Sequence, residues 1–318
     1  VWESELDLTV FPYLADHRFQ GVPLLPVAAY IEMALAASIE VFGRGPRVFR
    51  NVELLRPLFL SERQPRRIQL VMSPARPGYA VFRFYSLEQA AWVVCVKGMV
   101  QYEGVEFEEV ADTALSPETL SRDYSRQLDA ATFYSRAGEA GLEYRWAFRA
   151  VERAGYSAAS GRGMIVIQPF RTMGYSSHGY HIHPARLDAM FQSAVLRVMS
   201  VEDNALIASL PVEIGELQVH ALPPDDAALS CRVKLHPREE DLWRSDVEVF
   251  DEGGRLILRD LGHRSKLVRD TKRDVPRSDT SSWLYQVRWE SEPPAATVHT
   301  GSESWLILAD SGGLGERL

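Results

Sequence analysis

Residues 26–43 read PVAAYIEMALAASIEVFG, and their spacing decides the first layer of the fold. Pro26 heads the run, where a missing N–H costs nothing because first-turn donors have no helical partner. Ile31, Leu35, Ile39 and Phe42 recur at helical intervals, and Gly43 stops the run. The segment is almost apolar all round, so the helix it predicts should be buried. Four strand-like runs follow: NVELLRPLFL (51–60), RRIQLVMS (66–73), AVFRFYSL (80–87) and AWVVCVKGMVQY (91–102). Proline, glycine and charged turns separate them. One apolar helix and about four strands make a compact α+β layer pair.

Upstream, Leu6, Leu8 and Val10 alternate with polar residues, the pattern of a strand. A turn, PYLADH at 12–17, connects it to the helix. Residues 104–125 are acidic and polar and read as a linker. TFYSRAGEAG (132–141) then predicts a short helix, and residues 151–170 read as strand.

A second buried helix begins after Pro184, with Leu187, Met190, Phe191, Ala194, Val195 and Val198 on one face. Strand-like runs close this half: IGELQVHAL (214–222), AALSCRVKL (227–235), RSDVEVFD (244–251) and GRLILRDLGHRSKLV (254–268). The second half, 126–270, thus repeats the element order of the first, 1–103. Residues 271–318 hold a charged linker and then LYQVRWE and SWLILAD, the start of a further region. Gly312, Gly313 and Gly315 open a loop like the first glycine turn of a nucleotide fold, but equally like a plain structural loop.

Composition narrows the classes. The chain has 318 residues, 46% hydrophobic and 25% charged, so it can bury a substantial core. A net charge of −8 argues against a nucleic-acid binder. Its two cysteines, Cys95 and Cys231, lie far apart in apolar runs. They read as core thiols of a reducing, cytoplasmic compartment, not as a disulfide or zinc set. No apolar run approaches the ~18 residues of a membrane span. The first residues lack the pattern of a signal peptide, and a start without Met fits a fragment of a longer chain.

Two constellations carry chemistry. The first, His17-Arg-Phe-Gln-Gly21-Val-Pro-Leu-Leu-Pro26, sets an imidazole just before the buried helix. A helix N-terminus offers unpaired N–H groups and partial positive charge, which polarises a carbonyl. A neutral histidine beside it could remove a proton α to that carbonyl. By itself His17 serves as well as a cap or a core residue. The second is His183-Pro184-Ala-Arg-Leu187-Asp188-Ala-Met-Phe-Gln192. Asp188 and Gln192 share a helix face. Among apolar neighbours Asp188 would hold its proton to higher pH, as a general acid must. Alternatively it is a first-turn carboxylate serving the helix dipole. His181 and His183 have metal-ligand spacing without a clear third ligand, so no metal is expected.

HxxxGxxxxP at 17–26 and LDxxxQ at 187–192, in this order of elements, resemble the dehydratase domain of modular type I polyketide synthases. PYLADH, the Trp92–Gly98 stretch and LPVEIGELQVH (210–220) add to the resemblance, which covers about residues 1–270. The tail resembles the start of a ketoreductase-like structural region. The resemblance implies a double hotdog, two antiparallel sheets each wrapped around a long central helix. It implies elimination of water from a β-hydroxyacyl thioester carried on the phosphopantetheine of an acyl carrier protein. His17 would be the base on the α C–H and Asp188 the acid to the departing hydroxyl. Gly21 N–H would bind the thioester oxygen near Pro26, and Gln192 would hold Asp188. No cofactor is implied. The implied partners are the carrier protein, the other domains of the same synthase and a second copy of the domain.

One stretch departs from the family's Gly-Tyr-x-Tyr-Gly-Pro-x-Phe. Here it is Gly141-Leu142-Glu143-Tyr144-Arg145-Trp146-Ala147-Phe148. Tyr144 and Phe148 persist, and Tyr144 is placed to hydrogen-bond Asp188. Trp146 is either part of a locally reshaped loop or a bulky wall of the substrate tunnel. The wall would favour a second reaction, such as oxa-Michael cyclisation or a double-bond shift. An inactive scaffold and a hotdog thioesterase are the other readings, and the intact motif pair argues against both.

Overall fold

The computed structural model describes residues 1–107, 124–193, 195, 196 and 208–268. Most of the expected linker at 104–125 and all of 271–318, with its glycine loop, lie outside the described residues. So do Ala194 and Val198 of the second helical face.

The apolar run folds as expected into α1, Val27–Phe42, capped by Gly43, whose N–H reaches Ile39 O. Arg47, fully buried, pins the carboxyl end of this helix through Ser38 Oγ (3.0 Å) and Gly43 O. A cation there answers the negative end of the helix dipole. A helix buried on most of its surface must be enclosed by other elements. Strand β1 (Trp2–Leu6), β4 (Arg47–Leu54), β5 (Arg66–Arg76), β6 (Tyr79–Glu88) and β7 (Ala91–Gln101) supply the first enclosure. Tyr30 of α1 meets Phe84 of β6 edge-on at 5.1 Å.

The second half repeats the plan. Strand β8 (Arg126–Asp129) leads into α2 (Ala130–Glu139), whose first turn is capped by Asp129 accepting from Thr132 N–H. Then come β10 (Val151–Ser157), β11 (Arg162–Ile167), the helix α3 (Pro184–Phe191), β12 (Ala208–Val219), β13 (Leu229–Leu235), β14 (Leu242–Asp251) and β15 (Leu256–Val268). All ladders are antiparallel, and the order is β1-β5-β6-β7-β4-β12-β15-β14-β13-β11-β10-β8. Pairing of β4 with β12, Val219↔Arg47 to Glu213↔Glu53, makes one sheet of the two halves. Helices α1 and α3 pack on each other. A small second sheet joins β2 (His17–Phe19), β3 (Val22–Pro23) and β9 (Leu142–Tyr144).

Local expectations fail at two strands. The run 51–60 is strand only as far as Leu54. The opening strand is also shorter than expected and stops at Leu6 instead of running to Val10. Asp7 turns the chain there by accepting from both Thr9 N–H and Thr9 Oγ1, each at 2.8 Å. Such a side-chain bond competes with the ladder, and Val10 ends exposed. Cys95 and Cys231 are buried thiols, as their apolar surroundings predict.

Candidate active site

His17 opens β2 and is paired with Tyr144 of β9, so the small sheet brings the two residues side by side. Its ring lies 5.6 Å from the Tyr144 ring and 5.3 Å from that of Phe148. His17 Nδ1 sits 2.8 Å from Leu24 O. A carbonyl can only accept, so Nδ1 carries the hydrogen and neutral His17 presents an unprotonated Nε2. Turned the other way, Nε2 stands 3.9 Å from Asp188 Oδ1.

Asp188 comes from α3, whose start is fixed twice over. His183 Nδ1 accepts from Ala185 N–H at 3.1 Å, which makes His183 the helix cap. Burial pushes the His183 imidazole down to about 4, so it stays a neutral acceptor. Arg186, fully buried, holds Pro223 O and Ala227 O. Asp188 itself is buried, and desolvation raises its carboxyl above the usual range. The neighbouring imidazole of His17, a bond from Gln192 and the ring of His263 oppose that rise.

Gln192 lies one turn on from Asp188, as the spacing predicts. Its Nε2 donates to Asp188 Oδ2 at 3.1 Å and to Phe148 O at 3.0 Å. Its Oε1 lies 3.2 Å from Tyr134 Oη, whose single proton is shared between this oxygen and Phe148 O. Tyr134 Oη also accepts from Val151 N–H. A chain of bonds therefore runs from Asp188 through Gln192 to the buried tyrosine of α2.

These groups open on a cavity of about 440 Å³. His17, Tyr144, Asp188 and Gln192 line it, with Pro26 and Val27 at the start of α1. Arg56 and Lys266 belong to its lining and are exposed, so they mark its rim.

Four expectations need correction. Gly21 is exposed and not part of the cavity wall. It forms with Gln20 the two-residue tip of the β2–β3 hairpin, both at positive φ (51° and 82°). That turn demands glycine's freedom, which explains the residue without any oxyanion. Trp146 is 73% exposed and outside the lining, so it walls no tunnel. The backbone reverses there at φ 35° and turns the indole outward while Ala147 and Phe148 go inward. The hydrogen bond to Asp188 comes from Gln192, while Tyr144 packs edge-on against His17. Phe148 lies behind His17 rather than in the cavity wall, and serves Gln192 through its carbonyl.

Sequence reading missed Tyr134, Leu24 O and His263. A tyrosine in a helical run and a main-chain carbonyl carry no signal of their own. His263 sits next to Gly262 in a strand, and an isolated strand glycine is the mark of a bulge.

Comparison with known proteins agrees with this architecture. The family model described as "Polyketide synthase dehydratase domain" matches residues 1–87. A second, "Polyketide synthase dehydratase N-terminal domain", matches 112–274. Phthioceranic/hydroxyphthioceranic acid synthase of Mycobacterium tuberculosis (strain ATCC 25618 / H37Rv) is 26% identical over 97% of this chain. Mycocerosic acid synthase-like polyketide synthase of Mycolicibacterium smegmatis (strain ATCC 700084 / mc(2)155) is 24% identical over 97%. The chain spans only 14% of the length of each of these two proteins. The solved dehydratase domain from the CurJ module of curacin polyketide synthase superposes with TM-score 0.72 at 20% identity, over 84% of this chain and 90% of that one. That of a mycocerosic acid synthase-like polyketide synthase gives 0.71 at 25%, over 83% and 90%. The fold is the double hotdog that the motifs imply. With matched models over both halves, the chain belongs to the dehydratase domains of polyketide synthases.

Proposed function

We propose that this domain eliminates water from a β-hydroxyacyl thioester delivered on the phosphopantetheine arm of an acyl carrier protein, with His17 as base and Asp188 as acid. His17 Nε2 takes the α proton, and its Nδ1–H stays on Leu24 O, which orients the ring and steadies the imidazolium. Asp188 gives its proton to the β-hydroxyl as the C–O bond breaks. The α C–H and β C–O bonds break, the Cα=Cβ bond forms and water leaves, so the two groups end with opposite charges in contact range. Proton transfer by one positioned group contributes about 10²–10⁴-fold.

The observation that carries this reading is the pairing of a fixed, outward-facing Nε2 with a buried carboxyl whose proton is held by desolvation. Two groups whose surroundings assign them opposite roles are the mark of acid–base chemistry. Exposed Arg56 and Lys266 at the rim suit the phosphate of the pantetheine arm.

The experiment is incubation with a synthetic β-hydroxyacyl pantetheine thioester, followed by mass spectrometry. Loss of water is expected. A free acid would make the domain a thioesterase, and an unchanged thioester across chain lengths would make it a scaffold.

A further inference from the structure

The cavity holds a second histidine for which elimination has no use. His263 is buried on β15, and its Nδ1 lies 2.7 Å from Asp260 Oδ2. Residues three apart on a regular strand point to opposite faces. Here β15 carries one residue too many against β14: the pairing steps from Ser245↔His263 to Val247↔Asp260. Gly262 takes up the bulge at φ 69°, and its freed N–H goes to Asp246 Oδ1 at 2.8 Å. Gly215 faces it so closely that a Cβ there would meet Leu261 O at 2.9 Å. Bulges of this kind re-aim side chains beside active sites. The result is that Asp260 and His263 both turn inward, 0% and 5% exposed.

With Nδ1–H donated to Asp260, His263 Nε2 makes no hydrogen bond among the described residues, and the ring lines the cavity of His17 and Asp188. His263, Ser265 and Leu267 are the inward positions of β15, with Lys266 at the rim. Of the three, His263 lies farthest along β15 from the exposed Lys266. Phe191, on α3 beyond Asp188, brings its ring to 5.8 Å from it.

A thioester entering from the rim lays its higher-numbered carbons deeper. Once water has left, the activated C–H of an enoyl thioester is the one at the γ-carbon, because its carbanion is conjugated through the new double bond. We propose that the His263–Asp260 dyad is a second proton-transfer centre, which takes the γ proton of the enoyl thioester and moves the double bond from α,β to β,γ. The γ C–H bond breaks and its proton passes to His263 Nε2. Its electron pair becomes the Cβ=Cγ bond. The former Cα=Cβ pair takes a proton at Cα from His17 Nε2, which carries the α proton it removed during elimination or, when the enoyl thioester is supplied directly, one taken up from water. His263 returns its proton to water, and nothing is oxidised or reduced. The substrate class rests on the dehydratase reading; the dyad and its place in the cavity do not.

The test supplies the α,β-enoyl pantetheine thioester directly to the chain in D₂O, followed by NMR and mass spectrometry. Deuterium at the γ-carbon and a β,γ-enoyl product are expected. His263→Asn keeps an N–H for Asp260 but removes the base, so γ exchange should fall by about 10²-fold. No γ exchange in the parent chain, or equal exchange in His263→Asn, overturns the assignment. Should melting curves show His263→Asn unfolded, Asp260→Asn is read instead; unchanged exchange there overturns it equally. Water loss from the β-hydroxyacyl thioester is measured separately, so failure of elimination is not confused with failure of the dyad. A ring formed from a substrate bearing a downstream hydroxyl, without γ exchange, also counts against it.

Discussion

His17 Nε2 and Asp188 Oδ1 face each other at 3.9 Å across the junction of the two halves. One is held by the small sheet, the other by α3. Neither half contains the pair, so the site exists only because β4 and β12 join the sheets and α1 packs on α3. The gap is too long for a direct hydrogen bond. It leaves each group facing the cavity instead of neutralising the other.

Loss of either group should stop the reaction and spare the fold. His17→Ala and Asp188→Asn should each lower water loss from a β-hydroxyacyl thioester by about 10²–10⁴-fold. Far-UV circular dichroism should stay that of the parent. Water loss near the parent rate in His17→Ala would remove it as the base.

Gln192→Leu should shift the pH profile in a definite direction. The bond from Gln192 lowers the Asp188 carboxyl, so its removal lets burial raise the group further. An acid must be protonated to act, so the alkaline limb of the rate should move to higher pH. The plateau rate should fall because Asp188 loses its orienting donor. Phe148 O keeps Tyr134 Oη, so the stability cost should stay within about 1–3 kcal/mol. An alkaline limb that stays in place would show that Asp188 does not set it.

Trp146→Gly should leave the product profile unaltered across chain lengths. The indole is in solvent, and glycine accepts φ 35° without strain. Relief of that strain and the greater freedom of the unfolded glycine oppose each other, each about 1 kcal/mol. A melting temperature within a few degrees of the parent is expected. A changed product profile would return Trp146 to the substrate path.

How legible the site was depended on the kind of regularity behind it. Asp188 and Gln192 needed only helical spacing, and α1 only its apolar faces. Gly21 and Trp146 were misjudged because both sit at positive φ, where one residue's backbone decides whether a side chain or an N–H points inward. His263 was missed because period two puts it opposite Asp260; Gly262 marks a bulge, but the pairing with β14 is what shows the extra residue and its effect on direction. The strand expected through Val10 failed for a similar reason, a side-chain bond from Asp7 that periodicity does not count.

Glu32 gives a prediction about stability instead of rate. It lies buried on α1, and both oxygens accept from the chain leading into α3: His181 N–H at 2.7 Å and Ile182 N–H at 3.0 Å. Burial raises its carboxyl from 4.5 to about 7, against the pull of those two bonds. A raised carboxyl contributes stability that is fully present below its unfolded value and lost as pH rises through the folded one. The parent chain should therefore lose stability between about pH 4.5 and 7, by a few kcal/mol at most, from this group alone. Glu32→Gln cannot titrate, and its amide accepts only one of the two N–H groups. It should be less stable than the parent at pH 5, with the deficit shrinking by pH 8. Urea denaturation at the two pH values reads this directly. Equal pH slopes in the two chains would mean that Glu32 is ionised throughout, and that its two backbone bonds outweigh its burial.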